Sequence, residues 1–361
     1  MITLYCIRPK GFNVGNDAIF IAMQHFIYKA FGEIVNLVSV PATSRYESQA
    51  KAGLTPQTIH EINQFGHGVI IGGGNLYENG ELEVNLDALG TLDVPLFLFS
   101  ISSGRIYNRR CELVKRTDAM PDRIIRALDH TASFSLARDR ETFNHLKNIG
   151  CEKVQIGGCP TLFLNRVQGR LPNLYESDRH LVLISVRNPS LMNIPLNQQA
   201  NVYTDILNMI AFLKGEGMDN IKLLCHDHRD IPFAASFKGM EYIYTGDVYT
   251  YLALLQSCRL NITYRLHSCL PCLSFGTPVI KISYDERAIS LMNTIGFGDW
   301  NINMVTSDNL INDIIDRYKR IDELSGVVSS CRMTWNGLYD IMADHFGAFA
   351  NKVTDYYKTS N

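Results

Sequence analysis

The sequence predicts an α/β protein made of two doubly wound, mostly parallel sheets in tandem. Three observations carry that prediction. Short β-rich runs alternate with helical patterns through the first 170 residues. The alternation pauses at a polar, proline-containing stretch, Arg170-Leu-Pro-Asn-Leu-Tyr-Glu-Ser-Asp-Arg179, and then starts again. A length of 361 residues accommodates two domains of ordinary size. Strands that alternate with helices pair in parallel, because a helical crossover joins them, and the helices cover both sheet faces.

In the first half the β-rich runs are Ile2–Ile7, Glu33–Ser39, Gly68–Ile71, Pro95–Ser100, Ser133–Ala137 and Val154–Gly157. Helical patterns fall at Asp17–Phe31, Arg123–Leu128 and Arg140–Ile149. After the linker the runs are His180–Val186, Ile221–Cys225, Tyr242–Tyr244, Asn261–Tyr264 and Pro278–Ser283. Helices are expected between them, at Val202–Gly215, Tyr249–Gln256 and Ser268–Phe275, and over most of the final fifty or so positions. The expected domains are 1–170 and 171–361, with the helical tail in the second.

Bulk properties narrow the function. Hydrophobic residues make up 46% and charged residues 19%, which suits a sizeable core, and the net charge of -2 gives no global attraction to nucleic acid. The basic cluster Arg105, Arg109, Arg110, Lys115 and Arg116 reads first as a solvated face. No apolar run reaches the ~20 residues of a membrane span. Met1 leads directly into an apolar strand with no basic leader, which predicts a cytoplasmic protein. Nine scattered cysteines suit reduced thiols better than a disulfide framework.

In doubly wound sheets ligands bind beyond the carboxyl ends of the strands. The first strand delivers Gly11-Phe-Asn13-Val-Gly15-Asn16-Asp17, a tight turn in which Asp17 can cap the following helix. The third delivers Gly72-Gly73-Gly74-Asn75, where small residues permit close approach. The fourth delivers Ser100-Ile-Ser-Ser-Gly104-Arg105, and the fifth Arg138-Asp139-Arg140-Glu141. In the second half Arg187 and His226-Asp227-His228-Arg229-Asp230 follow strands. The His-x-His pair lacks a second ligand set, so no metal is expected. Cys269-Leu-Pro-Cys272 reads as core packing.

The most informative segment is Asn261-Ile-Thr-Tyr-Arg265-Leu266-His267-Ser, followed by Gly276-Thr-Pro-Val-Ile-Lys281-Ile-Ser-Tyr284-Asp285-Glu-Arg287. Arginine and histidine at a strand end can bind a small anion and move a proton.

Taken in order, these motifs resemble the polysaccharide pyruvyltransferase family. The resemblance rests on Asn13-Val-Gly15-Asn16-Asp17, Gly72–Gly74, Ser100–Gly104, Ser135-Leu-Ala-Arg138-Asp139-Arg-Glu-Thr142, Arg265-Leu266-His267 and Gly276-Thr-Pro278-Val-Ile…Tyr284-Asp285-Glu286-Arg287. It implies two Rossmann-like domains facing a cleft, similar to GT-B glycosyltransferases. It implies that phosphoenolpyruvate is the co-substrate, that no cofactor takes part, and that a cyclic pyruvate ketal forms on a sugar. Arg138, Arg265, Leu266 and Arg287 would hold phosphoenolpyruvate, and His267 would be the general acid. Asn13, Asn16, Asp17, Gly73, Gly74 and Asn75 would face the acceptor. Arg187, His226 and Lys281 are further candidates at strand ends. Asn16 stands where the family has aspartate, with Asp17 beside it. Arg287 stands where lysine is usual and keeps the charge. The expected partner is a free or lipid-linked oligosaccharide, and a lipid-linked one would place the protein at the inner face of the cytoplasmic membrane. The same cleft also suits a nucleotide-sugar glycosyltransferase or an inactive sugar- or anion-binding member of the family.

Overall fold

The computed structural model describes residues 1–11, 13–32, 34–45, 51–167 and 169–360. Glu33, expected to open the second strand, lies outside the described residues.

The first sheet has six parallel strands: β1 (Ile2–Arg8), β2 (Val35–Pro41), β3 (Gly68–Gly74), β4 (Leu96–Ile101), β5 (Phe134–Ala137) and β6 (Val154–Ile156). Their spatial order is β2-β1-β3-β4-β5-β6. The second sheet contains β7 (Val182–Val186), β8 (Ile221–Cys225), β9 (Tyr242–Tyr244), β10 (Leu260–Thr263), β11 (Val279–Ser283) and β12 (Ile302–Asn303). It runs β9-β8-β7-β10-β11-β12, again all parallel. Strands β3, β4, β7 and β11 are buried at every residue, as strands covered on both faces must be. Each sheet has one point where the chain order reverses, between β1 and β3 and between β7 and β10, and the ligand crevice opens there.

The longer helices are α1 (Val14–Phe31), α2 (Pro56–Phe65), α3 (Asp122–Thr131), α4 (Arg140–Asn148), α5 (Leu196–Gly215), α6 (Val248–Ser257), α7 (Leu266–Phe275), α8 (Glu286–Thr294), α9 (Leu310–Lys319) and α10 (Leu324–Ser360). Helix α1 starts three residues before its expected beginning. Asn13, not Asp17, is the cap, accepting a hydrogen bond from Gly15 N at 3.0 Å. Asp17 instead takes Arg8 Nη1 at 2.8 Å.

The tail departs most from expectation. Helix α10 follows the second domain in sequence but packs on the first sheet. Phe346 stacks on Phe26 and meets Phe97 and Phe99 edge-on, with centroids 4.9–5.6 Å apart. A side chain at Gly68 would stand 2.7 Å from Val353 Cγ2. The later part of α10 covers the layer over β3 and β4, while nearer its start Cys331 donates to Gly296 O at 3.1 Å and Trp335 to Ile295 O at 2.8 Å, so the tail touches both domains. No helix among the described residues is long and apolar enough to cross a membrane.

The domains touch along one face of α8. Glu286, Ser290 and Thr294, each one turn apart, meet Arg105, Asp139 and the Arg140 amide of the first domain. Arg105 Nη2 reaches Glu286 Oε1 at 2.5 Å.

Candidate active site

A cavity of about 630 Å³ opens where the two crevices face each other. Its walls include Asn13, Asn16, Asn75 and Arg138 from the first domain. Arg187, His226, Arg265, Leu266, His267 and Arg287 come from the second.

Arg138 ends β5 and is 2% exposed, yet its Nε and Nη2 have no hydrogen-bond partner. Buried guanidinium groups are ordinarily paired, because an uncompensated buried charge is costly. The residue lines the cavity, so a cation with unsatisfied donors stands beside open space.

The turn after β10 is fixed from beneath. Thr263 Oγ1 accepts from Arg265 N at 2.9 Å and donates to Arg265 O at 3.1 Å. Ser268 Oγ accepts from Asn261 Nδ2 at 2.8 Å and lies 2.9 Å from Ser185 Oγ. Lys281 is fully buried, donates to Tyr264 O at 3.3 Å and also reaches Ile282 O. Burial pulls its ammonium down to about 8. It stands behind the turn and does not line the cavity. Arg265 caps α7 and lies 3.8 Å from Asp230, which also holds Arg187 at 3.3 Å. His267 follows one residue into α7, half-buried, with Nε2 inaccessible and unpartnered. Burial, and then the Arg138, Arg265 and Arg287 charges, hold its imidazole well below the ordinary histidine value. In the ligand-free cleft it is neutral.

Arg287 sits differently. It lines the cavity, but one arm of its guanidinium meets Glu78 of the first domain and the other meets Asp285 Oδ2 at 2.5 Å. Burial opposes its charge, but Asp285 and Glu78 overcome that and push it up. Burial in turn raises the Glu78 carboxyl to about 7, with Arg287 opposing. Arg287, expected to meet phosphoenolpyruvate, thus lines the cavity while paired with two carboxylates.

The first domain's turns act mainly through shape. A side chain at Gly15 would stand 3.0 Å from His267 Cβ and 3.2 Å from its Nδ1, so glycine lets the turn press against the histidine ring. Asn16 lines the cavity, whereas Asp17 turns to Arg8. Gly73 and Gly74 have positive φ, and a side chain on Gly73 would stand 2.4 Å from Ile19 Cγ2. These glycines seat α1 on β3, and Asn75 beyond them reaches the cavity. His226 also lines it, with its ring 3.0 Å from the Tyr251 hydroxyl. Among the described residues no group of three or more His, Cys, Asp or Glu is placed to hold a metal ion.

Sequence reasoning missed Glu78, Asp230 and Tyr251. Glu78 and Asp230 lie in the loops after β3 and β8, where an acid among strand-end polar residues was a usable signal. Tyr251 lies mid-helix and gave none.

Comparison with known proteins fits this geometry. The solved structures it resembles include S. aureus MnaA bound to UDP, with a TM-score of 0.56 and 12% identity over 91% of this chain and 90% of that one. A UDP-N-acetylglucosamine 2-epimerase of Listeria monocytogenes gives 0.55 and 11% over 99% and 96%. The Methanocaldococcus jannaschii UDP-GlcNAc 2-epimerase with UDP-GlcNAc and UDP gives 0.55 and 12% over 87% and 92%. These likenesses establish the GT-B fold and nothing finer. The amylovoran biosynthesis protein AmsJ of Erwinia amylovora is 27% identical over 111 residues, a match that spans 26% of that relative's length. The family model described as polysaccharide pyruvyl transferase matches residues 13–286, from the Asn13 cap to the first residue of α8. That span includes most of both walls of the cleft, with Arg287 one residue beyond it, and this chain belongs to the polysaccharide pyruvyl transferase family.

Proposed function

We propose that this protein transfers the pyruvyl unit of phosphoenolpyruvate onto two hydroxyls of a sugar, leaving a cyclic ketal on an exopolysaccharide or its lipid-linked precursor. Family membership supports the reaction class, and the similarity to an amylovoran biosynthesis protein supports the acceptor class. The observation that carries the donor assignment is Arg138, a buried cation beside the cavity whose Nε and Nη2 have no hydrogen-bond partner.

Phosphoenolpyruvate carries a carboxylate and a phosphate, about three negative charges near neutral pH. Arg138 and Arg265 supply forked donors from opposite domains, and the Leu266 backbone lies between Arg265 and His267. The neutral imidazole becomes useful once the anion arrives. Bound negative charge offsets the arginines that depress His267, so the ring takes up a proton. His267 gives that proton to the methylene carbon, which becomes a methyl group, and C2 becomes oxocarbenium-like. One sugar hydroxyl attacks C2 and its proton returns to His267. The bond from C2 to the phosphate oxygen then breaks. The second hydroxyl closes the ketal, and its proton leaves with the phosphate as monohydrogen phosphate.

The test is His267→Gln with isotope-labelled phosphoenolpyruvate. A positioned acid contributes ~10²–10⁴-fold, so turnover should fall by that much while phosphoenolpyruvate still binds. Wild-type turnover in the variant would sink the assignment. Release of UDP from UDP-sugars, with no phosphate released from phosphoenolpyruvate, would replace this reading with a glycosyltransferase.

A further inference from the structure

His267 is followed four residues later by Pro271, within the same helix. In a regular helix the carbonyl of residue 267 would accept the amide of residue 271. Proline has no N–H to give, and its ring crowds the carbonyl four residues earlier. The backbone records both effects: His267 has φ -81° and ψ 21°, outside the helical range that its neighbours keep. Its carbonyl is not left bare. The Tyr251 hydroxyl, fully buried on α6, donates to it at 2.7 Å.

A phenol has one proton, so the Tyr251 oxygen can only accept from its other neighbours. These are the His226 ring, with Nε2 at 3.0 Å, and the Ser268 side chain. Burial, then the Arg265, His267 and Arg187 charges, keep His226 neutral, with a single ring N–H. The chain therefore runs from His226 N–H to the Tyr251 oxygen, and from Tyr251 O–H to the His267 carbonyl. His226 is itself anchored to the other domain, since its main-chain oxygen accepts the Val14 amide at 3.1 Å. Gly15, next along that first turn, presses on the His267 ring.

We propose that Tyr251 and Pro271 are positioning residues for His267: the proline frees the histidine's carbonyl, the tyrosine hydroxyl captures it, and the pair aims the imidazole into the cavity. The proposal rests on the pyruvyl-transfer reading for its kinetic consequence but not for its structural one. Neither residue touches the cavity, so both act through the histidine.

Tyr251→Phe removes only the hydroxyl. Because misplacing a catalytic group by about 1 Å costs on the order of 10²-fold, kcat should drop roughly tenfold to hundredfold. The phosphoenolpyruvate KM should stay within about twofold, since the arginines are untouched. Pro271→Ala restores an amide, lets the turn become regular and should lower kcat similarly. Both changes act on one carbonyl, so the double variant should be no slower than the slower single one. A purely structural role would change the melting temperature without this split. If Tyr251→Phe does not fold, Pro271→Ala carries the test, because it adds a hydrogen bond. His267 labelling by diethylpyrocarbonate, read by mass spectrometry, should speed up in both variants. Wild-type kcat in both, multiplicative losses in the double variant, or unchanged labelling would each overturn the proposal. A wild-type protein that never consumes phosphoenolpyruvate would overturn the function instead, and the labelling comparison would still decide whether the clamp exists.

Discussion

Two of the arginines that line the cleft, one from each domain, sit under opposite conditions. Arg138 is almost fully buried and leaves two donors unpaired, while Arg287 is engaged by Glu78 and by Asp285. Both positions could be named from sequence as cations beside the cavity. Only the fold distinguishes a charge kept free for a ligand from a charge used to join two domains. A buried cation with unsatisfied donors is a stability cost tolerated where function needs it, whereas a fully paired one is part of the frame.

The comparison breaks most visibly at Arg138. Each hydrogen bond to a charged group is worth ~1.5–3 kcal/mol, so losing two should weaken phosphoenolpyruvate binding by about 10²–10⁴-fold in Arg138→Met, measured by calorimetry. The melting temperature of that variant should fall only modestly, since Arg138 offsets the nearby Asp139 and Glu78 carboxylates without a hydrogen bond from Nε or Nη2. A large fall in melting temperature would mean that Arg138 has a structural partner after all.

Arg287→Ala should do the reverse. It leaves Glu78 and Asp285 buried without their cation, at a cost of about 3–5 kcal/mol in thermal or denaturant unfolding. Glu78 titrates near 7 and can relieve the strain by protonation, so the loss should be smaller at pH 5.5 than at pH 8. Equal loss at both would separate Glu78 from the effect.

Between these walls His267 makes donor binding sensitive to pH. Burial, and then the Arg138, Arg265 and Arg287 charges, hold its imidazole well below its ordinary value, and on the proposed function a bound anion should raise it. Below the free-site value it is protonated either way, and above the bound-site value it is neutral either way. Between the two, binding takes up a proton, so affinity should fall up to about tenfold per unit rise in pH. Calorimetry in buffers of different ionisation enthalpy would detect the proton, and His267→Gln should abolish it. The smallest effect is expected at Gly15→Ala. Its methyl group would press on the His267 ring, lowering kcat by about tenfold or less while the fold stays intact, as steady-state kinetics and circular dichroism would report.

Much of this was legible in the sequence because it is written in local pattern. Strand–helix alternation foretold both sheets, and asking which polar residues follow strands found Arg138, Arg187, Arg265 and His267. The rest depends on partners distant in sequence. Nothing near Arg287 announces Glu78, more than two hundred residues earlier by the numbering, and nothing near Asp17 says that Arg8 will claim it. The Pro271 of Cys269-Leu-Pro-Cys272 read as core filler, since its effect on His267 appears only with Tyr251 in place. That the tail also reaches back to the first sheet was not legible, because an amphipathic pattern tells which face is apolar, not which surface will cover it.

The return of α10 to the first sheet has a consequence for how the molecule is made. Phe26, Phe97 and Phe99 are synthesised well before Phe346, which covers them. On the ribosome the first domain must wait, with an aromatic surface uncovered, while the whole second domain emerges. Contacts so distant in sequence are slow to form, and the exposed interval is when a chain is most open to chaperones and to self-association. The last segment to be made thus completes the packing of the first sheet.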